Sequence, residues 1–99
     1  MFIEKQLLEK LSFRREAEIL KALGHPIRLK ILYGLLSGKC NVSNMQECLG
    51  IQQASLSQHL SVLKHVGVIE GERDKNQIIY DITSSFAIKL LNLINKEKN

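Results

Sequence analysis

At 99 residues the chain is long enough for one small domain, 1–99, and no second one. Hydrophobic residues make up 44% of it and Trp is absent, while no apolar run approaches the roughly 20 residues that span a bilayer, which excludes a helical membrane protein. The 14 Lys and Arg outnumber the 10 Asp and Glu, for a formal net charge of +4, a mild lean toward polyanions that supports a nucleic-acid partner without identifying one.

The opening MFIEKQLLEKL carries Ile3, Leu7, Leu8 and Leu11 on one side and predicts an amphipathic helix over 3–11. Its acidic residues fit neither a secretory signal nor a transit peptide. A cytoplasmic protein is therefore expected, in which Cys40 and Cys48 are reduced thiols rather than a disulfide framework. A second helix follows from about Arg15 to Leu23, with Ala17, Leu20 and Leu23 inward. Gly24-His25-Pro26 breaks it, and Pro26 suits the first turn of a third helix, where its missing N–H does no harm. That helix has Ile27, Ile31, Leu32 and Leu35 as its core face and ends at Gly38; Cys40-Asn41-Val42 then reads as a connecting extended piece.

The stretch Val42 to Leu63, VSNMQECLGIQQASLSQHLSVL, is the most informative. Met45 and Leu49 share one face of a short helix, and Gly50 closes it, because a residue without Cβ takes the left-handed conformation cheaply. The next helix carries Leu56, Leu60 and Leu63 as a core stripe, and Gln53, Ser55, Ser57, Gln58, His59 and Ser61 elsewhere. Ordinary solvated helix faces favour Lys and Glu. These compact donors and acceptors suit base edges in a major groove, so the pair reads as a helix-turn-helix.

Gly67 ends that helix and the period changes. Residues 68–73 and 77–82 predict two strands, with Asp74-Lys75-Asn76 as a polar hairpin tip. From Thr83 the helical period returns with Phe86, Leu90, Leu93 and Ile94 on one face, and Lys96-Glu97-Lys98-Asn99 reads as a frayed end. The fold class is mainly α with a β-hairpin wing, in the order of five helices, two strands and a helix: a winged helix-turn-helix.

Over nearly its whole length the chain resembles the ArsR/SmtB family of small bacterial repressors. The likeness is carried by KALGHPIRLKILYGLL, IQQASLSQHLSVLKHVGVIE and the wing GERDKNQIIYDI, through Leu23, Gly24, Pro26, Arg28, Leu29, Ile31, Leu32, Ser55, Ser57, His59, Leu60, Leu63 and Gly67. It implies a homodimer joined through the first and last helices, double-stranded operator DNA as partner, and repression relieved by an inducer. Family base contacts carry over to Gln53, Ser55, Ser57, Gln58 and His59, with Ala54 where many relatives have Ser. The wing would place Arg73, Lys75 and Asn76 against phosphates or the minor groove, and Lys64 is read as a further phosphate contact. His59 has an alternative reading as a partly buried histidine tying its helix to the wing. Arg28 and Lys30 have one as ordinary surface charges.

The resemblance also locates the usual metal sites, and this chain departs from both. The C-V-C positions are held by Asn41 and Ser43, and from Thr83 to Asn99 there is no His or Asp. No metal and no cofactor is expected. The residues name no inducer. Cys40 and Cys48 remain as candidates for redox or reactive-sulfur sensing; the alternative is a small buried Cys48 and an inert, half-exposed Cys40. No paired carboxylates, nucleophile with its base, or phosphate-cradling glycine loop is present, so an enzyme is not expected. A winged-helix protein-interaction module is the other function class, and it would need acidic or apolar groups on the outer face of the second motif helix.

Overall fold

The computed structural model describes residues 2–98. Its elements are α1 (Lys5–Lys10), α2 (Arg14–Leu23), α3 (Pro26–Leu36), β1 (Cys40–Asn41), α4 (Val42–Leu49), α5 (Gln53–His65), β2 (Ile69–Asp74), β3 (Gln77–Ile82) and α6 (Ser85–Lys98). The expected winged helix-turn-helix is present. One strand is added: Cys40 pairs with Tyr80 and Asn41 with Ile79, giving an antiparallel sheet in the order β1-β3-β2. The segment read as a mere connection therefore covers the free edge of β3 at the base of the wing, and Asn41 Nδ2 donates to Gln77 Oε1 at 2.8 Å.

Local chemistry explains the boundaries. Pro26 occupies the first turn of α3, and the His25 ring caps that turn by accepting the Ile27 N–H through Nδ1 at 3.1 Å. The helix stops at Leu36, and Gly38 lies beyond it at φ +145°. Asn41 caps α4 by accepting the Asn44 N–H at 2.8 Å. Gly50 ends α4 in the left-handed region (φ 65°, ψ 33°), as expected. The hairpin tip is two residues rather than three, because Asp74 pairs with Gln77 inside the ladder and Lys75 takes the turn at φ 59°.

The core is built on α3, which packs against α2, α4, α5, α6 and β3. Leu32 and Leu35 share one buried cluster with Leu56, Leu60 and Leu63 of α5, Val68 and Ile69 at the base of the wing, and Ala87 and Leu91 of α6. Each fully buried aliphatic side chain of this set contributes about 1.5–3 kcal/mol of transfer free energy.

Two expected faces are rotated, and a third differs at one residue. On α2 the buried residues are Ile19, Ala22 and Leu23, whereas Ala17 and Leu20 face outward. Arg15 of this helix also reaches the end of α5, where its Nη1 donates to Val66 O at 2.6 Å. Ile27, expected in the core, is only partly buried at its edge. On α6 the core side is Ala87 and Leu91; Phe86 and Leu90 are half-buried, and Leu93 and Ile94 are exposed. That helix runs through Lys98 instead of fraying, and Asn99 lies outside the described residues. Short α1 buries nothing, and Ile3 and Leu11 fall outside it.

Candidate nucleic-acid interface

At 3.6 residues per turn, Leu56, Leu60 and Leu63 fix which way α5 faces. Seating them in the core turns Ala54, Gln58, Ser61 and His65 directly outward, with Ser55 and Val62 beside them. Gln53, Ser57 and Lys64 fall on the flank toward the wing. There, with Ser61, they line a cleft closed by Ser43 and Gln46 of α4 and by Asn76, Gln77, Ile78 and Tyr80 of the wing. Ser43 and Gln46 were not legible as site residues, since nothing in a short polar helix says which side meets a wing.

The wing separates charge by register. Ile69, Gly71 and Arg73 stand opposite Ile82, Tyr80 and Ile78, while Glu70, Glu72 and Asp74 stand opposite Asp81, Ile79 and Gln77. Directly paired residues share a sheet face. Arg73 therefore lies on the face of buried Tyr80 and Ile82, and the acidic side chains lie on the reverse with Lys39. Lys75 stands at the tip.

His59 has neighbours that the other α5 polar residues lack. It is partly buried on the flank away from the wing, its Nδ1 3.3 Å from Arg28 Nη1. Its ring centroid is 4.5 Å from that of His25, with the planes tilted by 51°. Burial, then the charges of His25 and Arg28, push its pKa below the ordinary imidazole value. A guanidinium only donates, so Nδ1 accepts and the ring proton sits on Nε2. The tie thus runs to the α2–α3 turn and not to the wing. Arg28 is no free surface charge either, because its Nε donates to Ala22 O at 2.5 Å.

The two cysteines share a cleft between α3 and α4 with Lys30, Gly34 and Met45. Cys48 is exposed, not buried: Val42, Met45 and Leu49 define the inner side of α4, and Cys48 lies off that stripe. Cys40 is half-buried and donates to Asn41 O at 3.4 Å. Burial, and then the neighbouring Cys48, raise its thiol pKa, a rise that the backbone of Asn41 partly offsets. Among the described residues, no three His, Cys, Asp or Glu side chains converge on a metal-sized site, and no helix is long and apolar enough to cross a membrane.

Residues 25–71 match the family model described as "Bacterial regulatory protein, arsR family". The chain is 38% identical over 78 residues to the biofilm growth-associated repressor of Xylella fastidiosa, covering 79% of this chain and 68% of that one. The chain belongs to the ArsR family. Among other relatives of this ArsR-family chain, the regulator NmtR of Mycobacterium tuberculosis is 35% identical over 75 residues, covering 76% of this chain and 62% of that one. The fold of this chain matches that of the transcriptional repressor BigR from Xylella fastidiosa with a TM-score of 0.80 at 35% identity, covering 95% of each chain. Reduced HlyU from Vibrio cholerae N16961 matches with a TM-score of 0.84 at 27% identity, over 92% of this chain and 95% of that one. The family is regulatory, not catalytic.

Proposed function

We propose that this protein is a dimeric cytoplasmic repressor that grips an inverted-repeat operator with two copies of α5 and its wing, and releases it when an inducer acts. The observation that carries this reading is the outer surface of α5, which from Gln52 to Leu63 bears no Lys, Arg, Asp or Glu and projects beside a wing whose acidic side is turned away. A helix that met only water would gain solubility from charge there; in a major groove, neutral Gln amides and Ser hydroxyls pair with base edges and let the helix approach closely. Gln53, Ser55, Ser57 and Gln58 read base edges, and Lys64, Arg73 and Lys75 attach to phosphates.

A second copy is supported by apolar surface that one chain leaves uncovered. Ile3, Leu7, Leu8 and Leu11 around α1 are exposed at 41–46%, and Leu93 and Ile94 of α6 at 55% and 39%. Pairing through these elements would set two α5 helices roughly 34 Å apart, one turn of duplex. Fluorescence anisotropy with a palindromic and a scrambled duplex tests the reading. Strong preference for the palindrome by a dimer supports it, and sequence-indifferent binding by a monomer favours an interaction module instead.

For the signal, the shared cleft of Cys40 and Cys48 supports thiol sensing. Exposed Cys48 is the point of attack, and Cys40 is the resolving partner. Two electrons and two protons leave the pair to form the disulfide. A hydroperoxide takes them and becomes alcohol and water, or a persulfide takes them and becomes thiol and hydrogen sulfide. Cys48→Ser should abolish the response while DNA affinity is kept; an undiminished response refutes the assignment.

A further inference from the structure

Where α2, α3 and α5 meet, the aliphatic core gives way to His25, Arg28 and His59. One guanidinium links two helices: Arg28 Nε holds Ala22 O at the end of α2, and Nη1 lies 3.3 Å from Nδ1 of His59 in the middle of α5. No carboxylate compensates this group, since the one ion pair among the described residues is Lys5–Glu9. The ionisable groups that act on His59 are His25 and Arg28, and the elements packed together here carry a few others. His25 comes from the α2–α3 turn and Arg28 from α3. On α2, Arg15 is committed to Val66 O, and Glu16 has a buried carboxylate oxygen without a hydrogen-bond partner. On α5, Lys64 and His65 lie in the last turn.

The arrangement holds only while His59 is neutral. Protonation would turn Nδ1 from acceptor into donor, setting N–H against N–H beside the Arg28 guanidinium. The consequence is geometric. Leu56, Leu60 and Leu63 fix which side of α5 enters the core, and the polar contact on its flank trims the remaining roll of about 10°. At a side-chain radius of about 5–6 Å, a roll of about 10° moves a groove-facing tip by about 1 Å, enough to spoil a base-edge hydrogen bond.

We propose that Arg28 is a positioning residue for operator reading: through neutral His59 it sets the roll of α5, and protonating His59 frees the helix and lowers specificity at acid pH. This rests on the operator-binding reading above. A bare charge effect has the opposite sign, because an added proton on α5 strengthens attraction to any phosphate backbone. The ratio of specific to non-specific affinity therefore separates the two.

The probe is the inverted-repeat duplex that the wild-type dimer selects from a randomised pool at about pH 7.5, compared with a scrambled duplex at fixed salt down to about pH 5, a window bracketing the ordinary imidazole pKa. The specificity ratio should fall about fivefold or more across it. In Arg28→Met the ratio should already be low at neutral pH. In His59→Gln, whatever its neutral-pH level, the ratio should no longer change with pH. Nitrogen NMR of the wild-type imidazole should find the proton on Nε2 at neutral pH, a signature that needs no variant to fold. A flat wild-type ratio, an unchanged slope in His59→Gln, or a proton on Nδ1 overturns the proposal. A selection that recovers no inverted repeat overturns the operator reading itself, and the NMR result then still reports on the tie.

Discussion

Gly71 and Tyr80 face each other across the wing so closely that a Cβ on Gly71 would stand 2.8 Å from Tyr80 Cε1, and as close to Ile78 Cγ2. Ile78 is exposed and can turn aside; Tyr80 is buried and cannot do so cheaply. Gly71→Ala should therefore push the Tyr80 ring off its seat and destabilise the fold by about 1–3 kcal/mol, the usual range for overpacking. Urea denaturation of a double-mutant cycle checks this. The alanine should cost clearly less in a Tyr80→Val background, and additive costs would contradict the close approach.

Arg15 caps the far end of α5. Its Nη1 donates to Val66 O, and a Cβ on Gly67 would lie 3.1 Å from its Nη2. Arg15→Met keeps the aliphatic stem and removes the donor, so the loss should be about 1 kcal/mol, that of one solvent-accessible hydrogen bond. Amide exchange localises the effect: protection should drop at the end of α5 and the start of the wing, and leave the centre of α3 unchanged relative to global stability.

Much of this fold was legible because patterns and breakers agreed. Gly50, Pro26 and the leucine stripe of α5 each have one comfortable structural use, and all three are found in it. The misses share a different cause. The rotation of α2 follows from its packing against α3 and α5, with Arg15 reaching a carbonyl 51 residues away, and no periodicity within ten residues encodes that. The third strand is two residues long, so its signal lies in the edge of β3 it covers. At the interface, the polar side of α5 could be read from composition, but the assignment of His59 could not. Whether an imidazole on a helix flank meets DNA, wing or neighbouring helix depends on which side chains pack there, and Arg28 resembles a surface charge until α2 and α5 are brought together.

The same tie makes stability depend on pH. The folded-state pKa of His59 lies below its unfolded value, with burial the first cause and the charges of His25 and Arg28 after it. The unfolded chain therefore binds the proton more readily. The contribution is fully present above about pH 6.5, the unfolded imidazole value, and is lost as pH falls through the folded one. Urea midpoints should decline below neutrality in the wild type and less steeply in His59→Gln. A wild-type midpoint that rises with acid would reverse the sign and exclude a neutral, tied His59.

Division of labour between helix and wing gives the most direct test of the interface. Gln53 begins α5 and lines the cleft toward the wing, where an amide can pair two atoms of one base. Gln53→Ala should therefore cost about 1–3 kcal/mol on the operator, relax preference at one position of each half-site, and leave random DNA almost untouched. Lys75, at the hairpin tip with φ 59°, offers a mobile charge and no planar group. Lys75→Gly removes the charge while easing the left-handed backbone, so the wing should fold at least as well. Affinity should nevertheless drop by a similar factor on every duplex, with a salt slope shallower by about 1. Affinity measured at several salt concentrations on operator and scrambled DNA distinguishes the two behaviours; losses of equal size on both duplexes for Gln53→Ala would remove it from the reading face.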